Sequence, residues 1–116
     1  FLDAYNANPS SVQLAVGSFS KQELSPKKLC ILGDMLELGS VSAEEHQNII
    51  DQVDSLGLSA FYVGLEYKKI KSENKGTFFK DRFELIDHLS SNKLKDYQIL
   101  IKGSRGIKLE DVLPHL

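Results

Sequence analysis

Short apolar runs that end in glycine alternate along this chain with longer stretches in which apolar residues recur every three or four positions. Leu29-Cys30-Ile31-Leu32 is the clearest run, stopping at Gly33-Asp34. A run that is apolar on both faces and bounded by charge and glycine predicts a buried strand of a parallel sheet. Ala60–Gly64 and Gln98–Gly103 repeat the pattern, and Phe1–Ala4 and Thr77–Lys80 read as shorter strands. Between them Val12, Ala15, Val16 and Phe19 fall on one helical stripe. Ile49, Ile50, Val53 and Leu56 form a second, and Leu85, Ile86 and Leu89 a third. Leu109, Val112, Leu113 and Leu116 predict a last short helix, with Pro114 near its end. The order β-α-β-α-β-β-α-β-α predicts an α/β domain over residues 1–116, a doubly wound, mostly parallel sheet of about five or six strands flanked by helices.

Local signals place the helix ends. Asn8 is a good N-cap and Pro9 suits the first helical position. Ser42-Ala43-Glu44-Glu45 spells a capping box, and Asp81-Arg82-Phe83-Glu84 repeats it. Gly57 predicts a C-terminal cap. Glu66–Asn74 is polar and lysine-rich and reads as a solvated face.

Charge and composition narrow the partners. The 116 residues carry a net charge of −2, which points to neither a nucleic-acid nor a membrane surface. No apolar run reaches the length of a membrane-spanning helix. The lone Cys30 lies inside the central run, reads as a small core hydrophobe, and fits a reducing, cytoplasmic setting. His46 and His88 have no other His or Cys at metal spacing and read as structural. There is no G-x-x-x-x-G-K-[ST] loop, no G-x-G-x-x-G fingerprint and no G-x-S-x-G elbow. No complete catalytic set stands in this chain.

A parallel sheet gathers its strand C-termini on one edge, where ligands of open α/β sheets bind. That edge would collect Asp3, Tyr5, Asn6 and Asn8 after the first strand, Asp34 and Glu37 after the second, and Lys102, Ser104 and Arg105 after the last. Carboxylates, amides, a hydroxyl and two cations together suit a polar or phosphorylated ligand. Turns are rich in Asp, Asn, Gly and Ser for conformational reasons alone, so solvated loops are the competing reading. Lys102-Gly103-Ser104-Arg105 is the most informative stretch, because turn chemistry does not call for two cations.

Three stretches carry a resemblance. Asp3-Ala4-Tyr5-Asn6-Ala7-Asn8-Pro9-Ser10-Ser11, Leu32-Gly33-Asp34-Met35-Leu36-Glu37-Leu38-Gly39 with Glu45-His46 following, and Lys102-Gly103-Ser104-Arg105 are similar to the C-terminal domain of the Mur ligases. Most Mur ligases carry His where this chain has Ala7, and the Tyr-Asn-Ala-Asn-Pro form resembles the branch that adds D-Ala-D-Ala. The resemblance implies a Rossmann-like domain and a chain that is one piece of a three-domain enzyme. It implies ATP, and Mg²⁺ bound mainly by a central domain. It implies that the carboxylate of a UDP-N-acetylmuramoyl-tripeptide is phosphorylated and that D-Ala-D-Ala attacks the acyl phosphate. By the same resemblance Asp3 contacts the ATP ribose, with Tyr5, Asn6 and Asn8 beside the nucleotide. Asp34, Lys102, Ser104 and Arg105 face the peptide and phosphate end. The alternative is a phospho-receiver-like regulatory module, which Asp3 and Lys102 imitate. A receiver also needs paired acids after the first strand and an acceptor Asp after the third, and here those places hold Asp3-Ala4 and Val63-Gly64.

Overall fold

The central apolar run becomes β2 (Lys28–Gly33), hydrogen-bonded on both sides. The computed structural model describes residues 2–3 (backbone only), 8–22, 27–70 and 76–116. Within them β1 (Leu2–Asp3), β3 (Ser59–Val63), β4 (Thr77–Phe79) and β5 (Gln98–Lys102) join β2 in one five-stranded sheet. The order is β1-β5-β2-β3-β4 and every pairing is parallel. The helices are α1 (Pro9–Ser20), α2 (Ser42–Ser55), the single turn α3 (Leu65–Lys68) and α4 (Arg82–Ser91). The predicted doubly wound α/β fold is the fold observed.

Side-chain alternation in β2 divides the core. Cys30 and Leu32 face α1 and α2, packing with Val16, Phe19, Ile49 and Val53. Leu29 and Ile31 face the other way, toward Leu85 and Leu89 of α4 and Leu109 and Val112 of the C-terminal segment. Burial on both faces is why the run lacks polar alternation. Burial also pushes the Cys30 thiol up to about 12, so it is an inert core group.

Crossovers of one hand fix where the site can lie. The links β1–β2, β2–β3 and β3–β4 all step in one direction across the sheet and pack on the α1/α2 face. The return from β4 to β5 runs through α4 on the opposite face. The segments after β5 and after its neighbours β1 and β2 therefore leave on opposite faces, which opens switch-point crevices beside β5 at the carboxyl edge.

Several local expectations hold. Asn8 caps α1, its Oδ1 accepting from Ser11 N at 2.9 Å while Asn8 N donates to Ser11 Oγ at 3.1 Å. Gly57 has φ +69°, and Gly57 N and Leu58 N donate to Asp54 O and Val53 O, closing α2 with a Schellman pattern. Asp81 caps α4 through Glu84 N at 2.9 Å, although the Glu84 carboxylate reaches back to Lys80 N instead of to the cap residue. His88 packs edgewise on Phe61, a structural role.

Others are corrected. Ser42 is not a cap: a 3₁₀ turn at Gly39–Val41 leads straight into α2, Val41 takes the cap position, and Ser42 is the first helical residue. The 3₁₀ turn already gives leading N–H groups their acceptors, Val41 N donating to Leu38 O and Ser42 N to Gly39 O, which leaves the Ser42 hydroxyl to turn inward. Leu56 lies past the end of α2 and is 42% exposed. The C-terminal segment, Leu109–His115, is 3₁₀ and not α. Three residues per turn put Leu109 and Val112 on the core and Leu113 and Leu116 outside it. Within the stretch read as solvated, Tyr67 of α3 is fully buried.

Candidate substrate site at the carboxyl edge

The exit of β2 is built from close backbone contacts. Gly33 and Gly103 pass side by side, and a Cβ on Gly103 would lie 3.1 Å from Gly33 Cα and 2.9 Å from Leu109 Cδ1. Each of the next three backbone amides then finds a different partner. Asp34 N donates to Val63 O at 3.0 Å. Met35 N donates to His46 Nε2 at 3.0 Å. Leu36 N donates to Ser104 Oγ at 2.9 Å. In return Asp34 O accepts from Ser104 N at 3.1 Å, so the exits of β2, β3 and β5 are tied together.

The Asp34 carboxylate faces inward. It is 3% exposed and accepts from Glu66 N at 2.9 Å and Tyr67 N at 3.1 Å, the first turn of α3. Burial raises its pKa above the usual carboxylate value, and the two amide donors pull the other way. Gly64 makes this contact possible: its φ is +128°, and a Cβ there would overlap the carboxylate.

His46 supports the same loop from beneath and is fully buried. With Nε2 accepting from Met35 N, the ring proton sits on Nδ1 and is donated to Ser42 O at 2.7 Å. The ring stands edgewise on Tyr67 at 4.5 Å. Ser42 Oγ donates to Glu66 Oε1 at 2.7 Å, and Lys69 Nζ donates to Glu66 Oε2 at 2.7 Å. Those bonds, Lys69 first, hold the Glu66 carboxyl below its ordinary pKa.

Over these supports lies a cleft of about 460 Å³. Its walls are the loop 34–39, the turn 64–66 after β3, the turn 80–82 after β4, and Gly106–Ile107 after β5. Leu36 and Leu65 make an exposed apolar rim, and Lys80 and Arg82 stand at the far side.

The sequence candidates divide in two around β5. Asp3 is the last residue of β1 and pairs in register with Lys102, which is buried and also pairs with Leu32. Tyr5 and Asn6 lie outside the described residues, and the Asn8 side chain is committed to its cap. Asp34 and Ser104 are brought together through the backbone. Lys102, Ser104 and Arg105, the last exposed at the start of a 3₁₀ turn, are not in the cleft wall. Reading the sequence took His46 as structural, which its buried bonds bear out, but missed that it holds the loop after β2, and missed the roles of Ser42, Tyr67 and Arg82. His46 had a signal: it stands three and four positions before Ile49 and Ile50, on the buried stripe of α2.

Comparison with known proteins supplies the family. The family model described as Mur ligase, glutamate ligase domain, matches residues 1–105. The chain belongs to the Mur ligase family. This Mur ligase domain is 34% identical over 118 residues to UDP-N-acetylmuramoyl-tripeptide–D-alanyl-D-alanine ligase of Rickettsia prowazekii, covering 97% of this chain and 26% of that protein. The enzyme of the same name in Bacillus subtilis is 31% identical, with 98% and 27% covered. The MurF ligase of Thermotoga maritima, solved in complex with ADP, superposes with a TM-score of 0.77 at 28% identity, covering 97% of this chain and 26% of its own. MurF of Acinetobacter baumannii gives 0.79 at 28% identity, with the same coverage. The Mur ligase domain thus spans about a quarter of the length of the relatives it matches. Among the described residues no helix is long and apolar enough to cross a membrane.

Proposed function

We propose that this chain is the C-terminal domain of a cytoplasmic, ATP-dependent amide ligase that joins D-Ala-D-Ala to UDP-N-acetylmuramoyl-tripeptide. The reading covers one step of peptidoglycan precursor assembly. The γ-phosphoryl group of ATP passes to the tripeptide carboxylate, giving an acyl phosphate and ADP. The dipeptide amine then attacks that carbonyl and expels phosphate, so one amide, one ADP and one phosphate result. The observation that carries the reading is the sheet order: it sets β1, β5 and β2, the strands that end in the three motif loops, side by side at one carboxyl edge.

The edge offers two compartments. The β1/β5 side, with Asp3 beside Lys102, suits the nucleotide and the phosphoryl group, where a cation offsets developing charge. The cleft over β2, β3 and β4 suits the incoming dipeptide. Tyr5, Asn6 and Asn8 flank the nucleotide, and Asp34, Ser104 and Arg105 shape the end where peptide and phosphate meet. Closing such a domain over its partners excludes water, which protects an acyl phosphate from hydrolysis. Mg²⁺ does not fit the described residues of this chain. No group of three His, Cys, Asp or Glu among them could hold a metal, and Asp34 is committed to amides. On this reading Mg²⁺ would be held by the central domain of the full-length enzyme.

The test is Asp3→Ala in the full-length enzyme. A carboxylate hydrogen-bonded to a ribose hydroxyl contributes about 1.5–3 kcal/mol. The KM for ATP should therefore rise about 10- to 100-fold, while dipeptide-dependent ADP release persists at saturating ATP. An unchanged KM would reject the ribose role, and a wild-type enzyme whose ADP release ignores D-Ala-D-Ala would reject the function.

A further inference from the structure

Arg82, the first residue of α4, borders the cleft where β4 ends. Two contacts fix its guanidinium. Nε donates to Asp111 Oδ2 at 2.8 Å, and the group lies 4.1 Å from the centroid of the Phe83 ring. Neither uses the two terminal nitrogens, which make no hydrogen bond among the described residues. Three of the cleft's four acids are in the opposite condition, and the fourth, Glu37, lies on the loop after β2 and not on the Arg82 wall. Asp34 accepts from two amides, Glu66 from Ser42 and Lys69, and Asp81 from Glu84 N. The unmet capacity on this wall is donor capacity, with Lys80 beside it, and it calls for an anion.

Distance across the sheet says which anion. Neighbouring strands lie about 4.8 Å apart, so the exit of β4 is about 14 Å from that of β5. An extended dipeptide spans about 7 Å from amine to carboxylate. If the amine meets the acyl phosphate between the β5 and β2 exits, the carboxylate falls over β3, within reach of a long side chain rooted at β4.

We propose that Arg82 is the clamp for the C-terminal carboxylate of the incoming dipeptide, with Asp111 and Phe83 as its positioning residues. A planar fork whose Nε edge is already anchored presents its remaining N–H groups in a fixed direction, the arrangement that favours a paired bond to a carboxylate. This rests on the dipeptide-ligase reading above, and it adds the residue that tells a dipeptide acid from its uncharged analogues.

The experiment is steady-state ADP release by the full-length enzyme, comparing wild type, Arg82→Ala and Arg82→Lys. Each is assayed with D-Ala-D-Ala and with D-alanyl-D-alaninamide, which lacks the carboxylate. Arg82→Ala should raise the KM for the dipeptide about 10- to 100-fold and leave the KM for ATP unchanged. Wild type and Arg82→Ala should use the amide equally poorly, and Arg82→Lys should recover only part of the loss. An active Arg82→Ala enzyme with an unchanged dipeptide KM would overturn the clamp while leaving the ligase reading intact. So would a variant that loses as much on the amide as on the acid. A wild-type enzyme with no dipeptide-dependent turnover would overturn both.

Discussion

The loop that leaves β2 and the turn that leaves β4 border the same cleft and are built in opposite ways. In the first, three successive amides and a carboxylate are all bonded to other parts of the protein, and Asp34, Met35 and His46 are buried. In the second, the Arg82 fork is anchored on one edge and open on the other, and Phe83 is 62% exposed. The difference separates scaffold from reagent. The conspicuous motif acid Asp34 shapes the cleft from beneath, while Arg82, outside the three stretches that carry the family resemblance, offers the unmet hydrogen bonds.

The contrast can be broken most severely at Gly64. A side chain there must adopt φ +128° and displace the Asp34 carboxylate from α3. Gly64→Ala should cost on the order of 3–5 kcal/mol in urea unfolding. A loss below about 1 kcal/mol would mean that the β2 exit is less constrained than its bonds imply.

His46→Phe keeps a ring against Tyr67 but removes the acceptor for a buried amide. An unsatisfied donor of that kind costs about 1–3 kcal/mol. Hydrogen exchange at the Met35 amide should accelerate with it, and His46→Gln should restore part of the protection. Unchanged Met35 exchange in the Phe variant would remove His46 from the scaffold.

Asp34→Asn keeps the shape but leaves one acceptor oxygen for two amide donors, so one N–H loses its partner at a cost of about 1–3 kcal/mol, the low end applying if the turn relaxes. Its signature is the pH dependence. The folded-state pKa of Asp34 is raised by burial, so the folded protein holds this proton more tightly than the unfolded chain does. Stability from this group is therefore full below the unfolded value and falls as pH rises through the folded one. The advantage of wild type over Asp34→Asn should shrink as pH climbs past the ordinary carboxylate range. An advantage that grows with pH would show that the amide donors outweigh burial.

Much of the fold was legible because it rests on periodicity. The run 29–32, short, apolar on both faces and bounded by charge and glycine, reads as a two-sided strand, and the three-and-four spacing at Val12–Phe19 and Leu85–Leu89 reads as helices, which is what they are. Caps were legible where one residue decides them, as at Asn8 and Gly57. Ser42 was misread because a capping box needs the cap residue itself to be extended, and the 3₁₀ turn that starts at Gly39 (φ +61°) leaves Ser42 already helical at φ −56°, ψ −50°. Tyr67 was hidden by its charged neighbours, since one buried position in a four-residue helix makes no pattern. The edge that holds the cleft was legible, because parallel strands send their ends to one side of the sheet. Which carboxylate turns inward was not, because that depends on bonds between Asp34 and residues 32 and 33 positions away.

The central claim, two compartments on one edge, is tested most directly by mapping NMR shifts on this 116-residue chain during titration with ATP and then with D-Ala-D-Ala. Each face of the sheet has its own buried cluster, so the chain has the core to fold for such a measurement. ATP should bind at millimolar strength or weaker, about −4 kcal/mol, because the chain has no phosphate loop. Its shifts should concentrate at Asp3–Ser11 and around Lys102, and those from the dipeptide at Glu37, Leu65 and Lys80–Arg82. Micromolar ATP binding, ATP turnover by this chain alone, or dipeptide shifts confined to the β1/β5 side would contradict the account.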